Sequence, residues 1–328
     1  MIAGLPGVSV FHSSAWAKIL SHTYGFTPIY FTAFHGNKLV SAIPVVEVKS
    51  WLTGKRGVSL PFTDESEALG LSDDATARLT TEVLNLGRTR GWRHVEFRGN
   101  NPKFQNAQPS LTFWGHKLTL SPDRDALFNQ LESSVRRAIR KAQKSGLTVE
   151  FSQTLEATRE YYALHCQTRK EHGLPPQPFR FFQQIHEHLL SQNLGVVVTA
   201  RRERQALASA IFFHRDAQAI YKFGASNRAG QDLRANNLVM WEAIQWLANR
   251  GVKTLRFGRT SAANEGLRRF KLGWGAQEYP INYFKFDFRK NALTAEKDEA
   301  FGWHNQVFRA LPVFLARWAG AVLYKHVA

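Results

Sequence analysis

One cysteine, Cys166, stands in 328 residues. A single thiol excludes an intrachain disulfide and any cysteine-rich zinc site, and it fits a reducing compartment. Acidic residues are scarce beside basic ones, 26 against 43, which leaves a net charge of +17. No uncharged apolar run of about 18 residues occurs, so no stretch reads as a membrane-spanning helix. The first residues have neither the basic start nor the long apolar middle of a secretory signal, and a cytoplasmic location is expected. What is present is 44% hydrophobic and 12% aromatic residues, too apolar a mixture for a disordered tail. The length suggests two domains of about 150 residues each. The positive surplus favours an anionic partner: RNA, a phosphorylated substrate or an acidic lipid surface.

Periodicity supplies the elements. Phe11, Trp16, Ile19 and Leu20 fall at helical spacings behind Ser13 or Ser14 as N-cap. Strands are expected over 27–35 and 39–48, joined by Gly36-Asn37, and a third over 58–62. A helix over 74–90 should stop at Gly91, before a strand over 94–98. The same order returns later: strands at 194–200, 207–214 and 219–225, a helix over 238–250 stopped by Gly251, then a strand at 254–257. Ser41-Ala42-Ile43 answers to Ser209-Ala210-Ile211, and Arg90-Gly91 with Phe97 answers to Arg250-Gly251 with Phe257. So long a period implies two homologous domains rather than a solenoid. Between the halves, 123–144 reads as one helix. Leu127, Leu131, Val135, Ile139 and Ala142 form its apolar face, and Arg136, Arg140 and Lys144 form a basic stripe with Arg137 and Lys141 beside it.

Six segments stand out: 135–146, Tyr221-Lys-Phe-Gly-Ala-Ser226, 237–244, Phe257-Gly258-Arg259-Thr260, Asn264-Glu265-Gly266-Leu267 and Phe270-Lys271-Leu272-Gly273-Trp274-Gly275. Together they resemble FemAB-like proteins of the GNAT superfamily, which include peptidoglycan-bridge aminoacyltransferases and a branch with a BioF2-like acetyltransferase domain. The resemblance covers nearly all of 10–290. It implies an α+β fold of two tandem GNAT-like domains, with mixed, mostly antiparallel sheets flanked by helices. The expected division is 1–120, 121–290 and an amphipathic tail over 291–328. Two departures from the family pattern stand out: Arg256 replaces an acidic residue often found before the Phe-Gly-Arg turn, and no inserted helical hairpin is visible.

Acyl transfer to an amine passes through an oxyanion, which a fixed positive charge or aimed N–H donors stabilise more than the ground state. The amine must also lose a proton. No Gly-x-Ser-x-Gly elbow and no His-Glu-x-x-His metal motif is present, so no metal is expected. By the resemblance, Lys271 lies near the reacting carbonyl and the Phe270 carbonyl orients the nucleophile; a lysine that pairs structurally fits the same position. Glu265 is a base or a helix cap. Tyr221 on the third strand is a donor to the leaving group or a half-buried aromatic. Arg259, Arg268, Arg269 and Arg169, with Asn264, Ser226, Arg136 and Arg140, are the candidate substrate-binding residues, the arginines suiting phosphate or carboxylate.

The expected function is acyl or aminoacyl transfer to an amine of a cell-envelope saccharide or peptidoglycan precursor. The alternatives are a CoA-dependent N-acyltransferase of exopolysaccharide or lipid biosynthesis, and a non-catalytic envelope-assembly or RNA-binding protein. No cofactor is expected to stay bound; the donor is aminoacyl-tRNA or acyl-CoA. Residues 227–232 match the pyrophosphate loop of acetyl-CoA enzymes poorly, which shifts weight to tRNA. In the tail, Trp303, Val307, Leu311, Leu315, Trp318 and Val322 form an apolar stripe broken at Pro312, with Arg309, Arg317 and Lys325 adding charge. This pattern serves the inner face of a membrane as well as packing against the second domain.

Overall fold

The computed structural model describes residues 5, 7–298 and 304–327. Its contacts gather into two units. The first takes Met1–Trp114, Pro280–Ala300 and Val322–Ala328; the second takes Gly115–Tyr279 and Phe301–Ala321. The units therefore cross the 120 and 290 positions at which the sequence divides.

The first unit holds α1 (Ser14–Tyr24), β1 (Thr27–His35), β2 (Lys38–Ser50), β3 (Gly54–Val58), β4 (Leu69–Gly70), α2 (Asp73–Thr89) and β5 (His94–Arg98), after which β6 (Leu111–Thr119) leads out. Trp16, Ile19 and Leu20 are fully buried on one face of α1. Ser13 occupies its N-cap position without capping, because its hydroxyl donates back to the Val10 carbonyl. α2 is capped by Ser72, whose side chain accepts from Ala75 N, and Asp73 and Asp74 suit the positive end of its dipole.

The second unit holds α3 (Arg124–Asn129), α4 (Ser133–Lys144), β7 (Thr148–Ser152), α5 (Leu155–Glu171), α6 (Phe179–His188), β8 (Gly195–Arg202), β9 (Gln205–Arg215), β10 (Gln218–Ser226), α7 (Arg228–Asp232), α8 (Ala235–Asn249), β11 (Thr254–Thr260) and α9 (Glu265–Leu272). β12 (Gln277–Asp287) then carries the chain back to the first unit, followed by β13 (Ala292–Leu293), α10 (His304–Ala310) and α11 (Val313–Leu323). No helix of the described residues is long and apolar enough to cross a membrane.

The two units repeat one topology. β1–β2 and β2–β3 pair antiparallel, then β3–β5 pair parallel at Gly57↔Val95. β8–β9 and β9–β10 pair antiparallel, then β10–β11 pair parallel at Ala219↔Leu255. Ser41 and Ser209 are both buried on the second strand, and Phe97 and Phe257 are both buried as the fourth residue of the fourth strand. Gly91 and Gly251 stop the helix in between at φ +67° and +81°, where a side chain would be strained. The strand beyond the fourth is exchanged. The first unit uses β12, from the C-terminal half (Tyr283↔Arg98), and β11 of the second unit is flanked by β6, from the N-terminal half. The apolar core of the second unit wraps α8, with Trp241 and Ile244 against Val198, Phe212, Leu255 and Ile139. That of the first sets Val83 and Leu84 against Val45, Val95, Phe97 and Phe284.

Three expectations change. The helix over 123–144 is two helices: Asp123 caps α3 by accepting from Asp125 N and Ala126 N, and the chain turns at 130–132, where Glu132 N donates to the Gly273 carbonyl. The third strand lies at Gly54–Val58 rather than 58–62, because Leu60 and Phe62 take positive φ, +47° and +61°. The tail is two helices parted at Pro312, which has no N–H to continue α10; Trp303 lies outside the described residues.

Candidate functional site

The site is built where two strands of the second unit part. β10 and β11 are in register for three residue pairs, Gln218↔Thr254, Ala219↔Leu255 and Ile220↔Arg256. β10 then bulges, with Tyr221 opposite Phe212 and Phe223 opposite Ile211, so that Lys222 is extra. A bulge bends and twists a strand, and here it turns the rest of β10 off its course beside β11. A cavity of about 360 Å³ lies there, lined by Tyr221, Gly224 and Ser226 of β10, Thr168 and His172 at the end of α5, Gln231, Asn236 at the start of α8, and Leu267 and Phe270 of α9.

Its wall is held by hydrogen bonds. The Thr168 hydroxyl donates to the Ser226 carbonyl and accepts from Ser226 N, both at 3.0 Å. Asn236 Nδ2 donates to Ser226 Oγ at 2.9 Å. The Tyr221 ring packs between Phe212 and Phe257, 5.4 and 6.4 Å away, and its hydroxyl folds over Gly224. A Cβ at Gly224 would fall 1.7 Å from that oxygen, so only glycine permits the pose. Burial pushes the Tyr221 phenol up to about 12, and it stays a protonated donor at neutral pH.

Phe270 also lines a second, larger cavity of about 570 Å³. Its charges are Arg137 and Lys141 of α4, Arg234 before α8 and Arg269 of α9, against a single carboxylate, Glu132. Arg234 takes the left-handed conformation at φ +61° as the N-cap residue of α8 without a side-chain cap bond. The first N–H groups of a helix and its dipole favour an anion, and the guanidinium groups add to that field. Arg137 and Lys141 stand four residues apart, hence on one face of α4.

The structure distributes the residues expected from sequence as follows. Phe270, Tyr221, Ser226 and Arg269 line the two cavities. Lys271 does not: it is buried, and its ammonium donates to the Gly258 carbonyl at 2.9 Å and the Arg259 carbonyl at 3.2 Å, tying α9 to the end of β11. Asn264 caps α9 by accepting from Leu267 N, while Glu265 is exposed in the first turn. Arg268 grips Glu278 through two hydrogen bonds, and these hold the Glu278 carboxyl below its usual range. His116, fully buried with Nε2 3.0 Å from Glu278 Oε1, has its pKa lowered, first by burial and then by the Lys271 charge. Arg169 donates to the Pro175 carbonyl, Arg136 to the Asn129 carbonyl, and Arg140 stacks over Phe128. Arg259 is exposed outside both linings. Burial raises the Cys166 thiol, the opposite of activation. Among the described residues no group of His, Cys, Asp or Glu is placed to hold a metal ion.

Sequence reasoning missed Arg234, Asn237, Gln231 and Asn236 as lining residues, and it preferred Arg136 and Arg140 to Arg137 and Lys141. The helical wheel of α4 held a signal: Arg137 and Lys141 form their own i, i+4 pair. Nothing in the sequence marks the left-handed turn at Arg234.

Residues 130–280 match the acetyltransferase (GNAT) domain family. No curated protein matches the chain. Among solved structures the chain is similar to FemX, at TM-score 0.71 and 13% identity over 88% of this chain and 94% of that one. It is also similar to a tandem GNAT protein from the clavulanic acid biosynthesis pathway, at TM-score 0.55 and 10% identity over 87% and 89%. L-PGS from Bacillus licheniformis matches at TM-score 0.54 and 13% identity over 94% and 96%. At such identities the likeness is one of fold. The chain has a tandem GNAT fold, and the stretch that matches the acetyltransferase (GNAT) domain lies almost wholly in its second unit.

Proposed function

We propose that the second unit transfers an acyl or aminoacyl group from an anionic donor to an amine of a cell-envelope saccharide or peptidoglycan precursor, on the cytoplasmic side. The observation that carries this reading is the pair of cavities meeting at Phe270, one strongly basic and one at the parted strands. The basic cavity receives donor phosphates on Arg137, Lys141, Arg234 and Arg269. The reacting carbonyl passes Phe270, and the acceptor amine enters beside Tyr221 and Ser226. The amine nitrogen bonds to the carbonyl carbon, the bond to the leaving oxygen or sulfur breaks, and one proton passes in sum from the amine to the leaving group. Tyr221, kept protonated by burial, relays it: the phenol gives its proton to the leaving atom and regains one from the amine. Gly224 N, on the same side of β10 as the Ser226 N that Thr168 already holds, serves the oxyanion. Lys271 acts as a positioning residue that fixes Gly258 and Arg259 at the end of β11.

Aminoacyl-tRNA is the favoured donor. The loop that would cradle a CoA pyrophosphate spends its N–H groups internally: Gly230 N donates to the Asn227 side chain, Gln231 N to the Asn227 carbonyl, Leu233 N to Ala229 and Arg234 N to Gln231. A CoA-dependent N-acyltransferase of exopolysaccharide or lipid biosynthesis is the second reading, favoured by the acetyltransferase description of the matched family.

The test offers the purified protein charged tRNA or acetyl-CoA with an amine acceptor and follows product, with binding titrated against salt. Arg137→Ala/Lys141→Ala should weaken tRNA binding at least tenfold and lower the salt slope by about one unit per lost phosphate contact. Turnover with acetyl-CoA and none with charged tRNA, or an unchanged salt slope, would overturn the preference for tRNA.

A further inference from the structure

We propose that α11 is a docking surface for an anionic phospholipid bilayer. One face of α11 is already spoken for. Ala316 is 1% exposed, and Gly320 packs so closely on the α5–α6 connection that a Cβ there would fall 1.9 Å from the Pro176 carbonyl oxygen. At 100° per residue, Trp318 points about 160° away from both. Phe314, Leu315 and Trp318 are accordingly 68%, 39% and 69% exposed. Small residues face the protein and large apolar ones face outward, the reverse of the order that burial in the fold would select.

Charge chooses the occupant. From 304 to 327 the chain holds Arg309, Arg317 and Lys325 and no aspartate or glutamate, on a protein of net charge +17. Arg317 lies over the Tyr162 ring at 5.3 Å, at the border of α11 with α5, and Arg309 of α10 donates to the Glu171 carbonyl at the end of α5. An exposed aromatic pair in a segment that carries cations and no acid suits the boundary between headgroups and acyl chains of an anionic leaflet. A second copy of the chain would bring the same positive charges together. The inference stands apart from the acyl-transfer reading, since no residue of the two cavities takes part.

The experiment is co-sedimentation of the full chain with vesicles of phosphatidylcholine alone, or of phosphatidylcholine and phosphatidylglycerol in equal parts. The protein should pellet with the mixed vesicles, stay in solution with the neutral ones, and be released by salt. Phe314→Ser/Trp318→Ser should cut partitioning to the mixed vesicles at least about tenfold with unchanged circular dichroism. Arg317→Gln, which leaves the apolar face intact, should cut it by about fivefold. Equal pelleting of the serine variant, or of parent protein with both vesicle types, would overturn the proposal. So would a parent dimer that the serine change converts to a monomer with no vesicle binding, which would assign the face to a second copy.

Discussion

The first and second units lay down the same four strands, yet the chain leaves the third strand differently in each. In the first unit the chain leaving β3 stays on β5. Ser59 N donates to the Glu96 carbonyl, Ser59 Oγ accepts from Arg98 N, and Ser66 N donates to the Arg98 carbonyl, each at 2.8 Å. Leu60 and Thr63 in that stretch are buried, and the Thr63 hydroxyl donates to the Leu60 carbonyl. In the second unit, β10 bulges at Lys222 and carries on past the last register pair at Ile220, and its end bonds instead to Thr168 of α5. The topology alone is therefore not a site. A cleft arises where the third strand turns away at a bulge and a neighbouring helix takes up the hydrogen bonds at its end.

Lys271→Met is the sharpest way to break this contrast. The change leaves two carbonyls at the end of β11 without their ammonium donor. An unsatisfied acceptor costs about 1–3 kcal/mol when fully buried, and these half-buried carbonyls cost less, offset further by no longer burying a charge. Turnover should fall on the order of a hundredfold as the cleft wall loosens. Amide hydrogen exchange should quicken over β10, β11 and α9 and stay unchanged over β3 and β5. Normal turnover with unaltered exchange would show that the tie at Lys271 does not hold the cleft.

A smaller effect separates the units by pH. His165 in the second unit is held neutral: burial, then the Arg169 charge, takes its pKa down to about 3. Its two ring nitrogens face the Tyr161 hydroxyl at 3.1 Å and Gln177 Oε1 at 2.9 Å. In the first unit, burial and then the Lys285 and Arg56 charges take His94 down to about 4. Both folded values lie below the unfolded value of about 6.5, so the unfolded chain binds protons first as pH falls. Stability is whole above about pH 7 and declines through the acid range, to about pH 4 for His94 and about pH 3 for His165. His165→Gln should remove roughly 2 kcal/mol of the stability lost between about pH 7 and 5, measured by urea unfolding. An unchanged pH dependence in that variant would mean that His165 is protonated in the fold.

Much of this was legible in the sequence, and for definite reasons. Apolar alternation and the paired glycines, Gly91 and Gly251, revealed the repeated units because burial and helix termination act locally. The Phe270-Lys271 run drew attention to α9, whose Phe270 lines both cavities while Lys271 lines neither. The exchanged strands were not legible: the sequence reading placed no strand at 111–119 or 277–287, and the partners of β6 and β12 lie far away in the chain. Nor were the plug after β3, which depends on Leu60 and Phe62 adopting positive φ, and the cation at Arg234, which depends on a left-handed turn. The basic stripe of α4 was found, but the face that meets the cavity is set by packing of Val135 and Ile139 on α8, and that packing is not written in charge.

Glu265 should show the smallest effect, and it refines the comparison at one more matching place. After the fourth strand of each unit an asparagine side chain caps the next turn. Asn101 accepts from Lys103 N and Asn264 accepts from Leu267 N, both at 3.1 Å. The residue after the cap is Pro102 in the first unit and Glu265 in the second. Since Asn264 is the cap, Glu265 is left with the first-turn dipole and the field of Arg268, and its exposed side chain lines neither cavity. Such a charge at a helix N-terminus is worth about 0.3–1 kcal/mol, at the low end when exposed. Glu265→Gln should therefore lower stability by no more than about 0.5 kcal/mol and leave turnover nearly unchanged. Loss of a general base would instead reduce turnover by about a hundred- to ten-thousandfold with the fold intact. Turnover measured at saturating donor and acceptor decides between them, and a fall of that size would move the proton acceptor for the amine from the Tyr221 cleft to the first turn of α9.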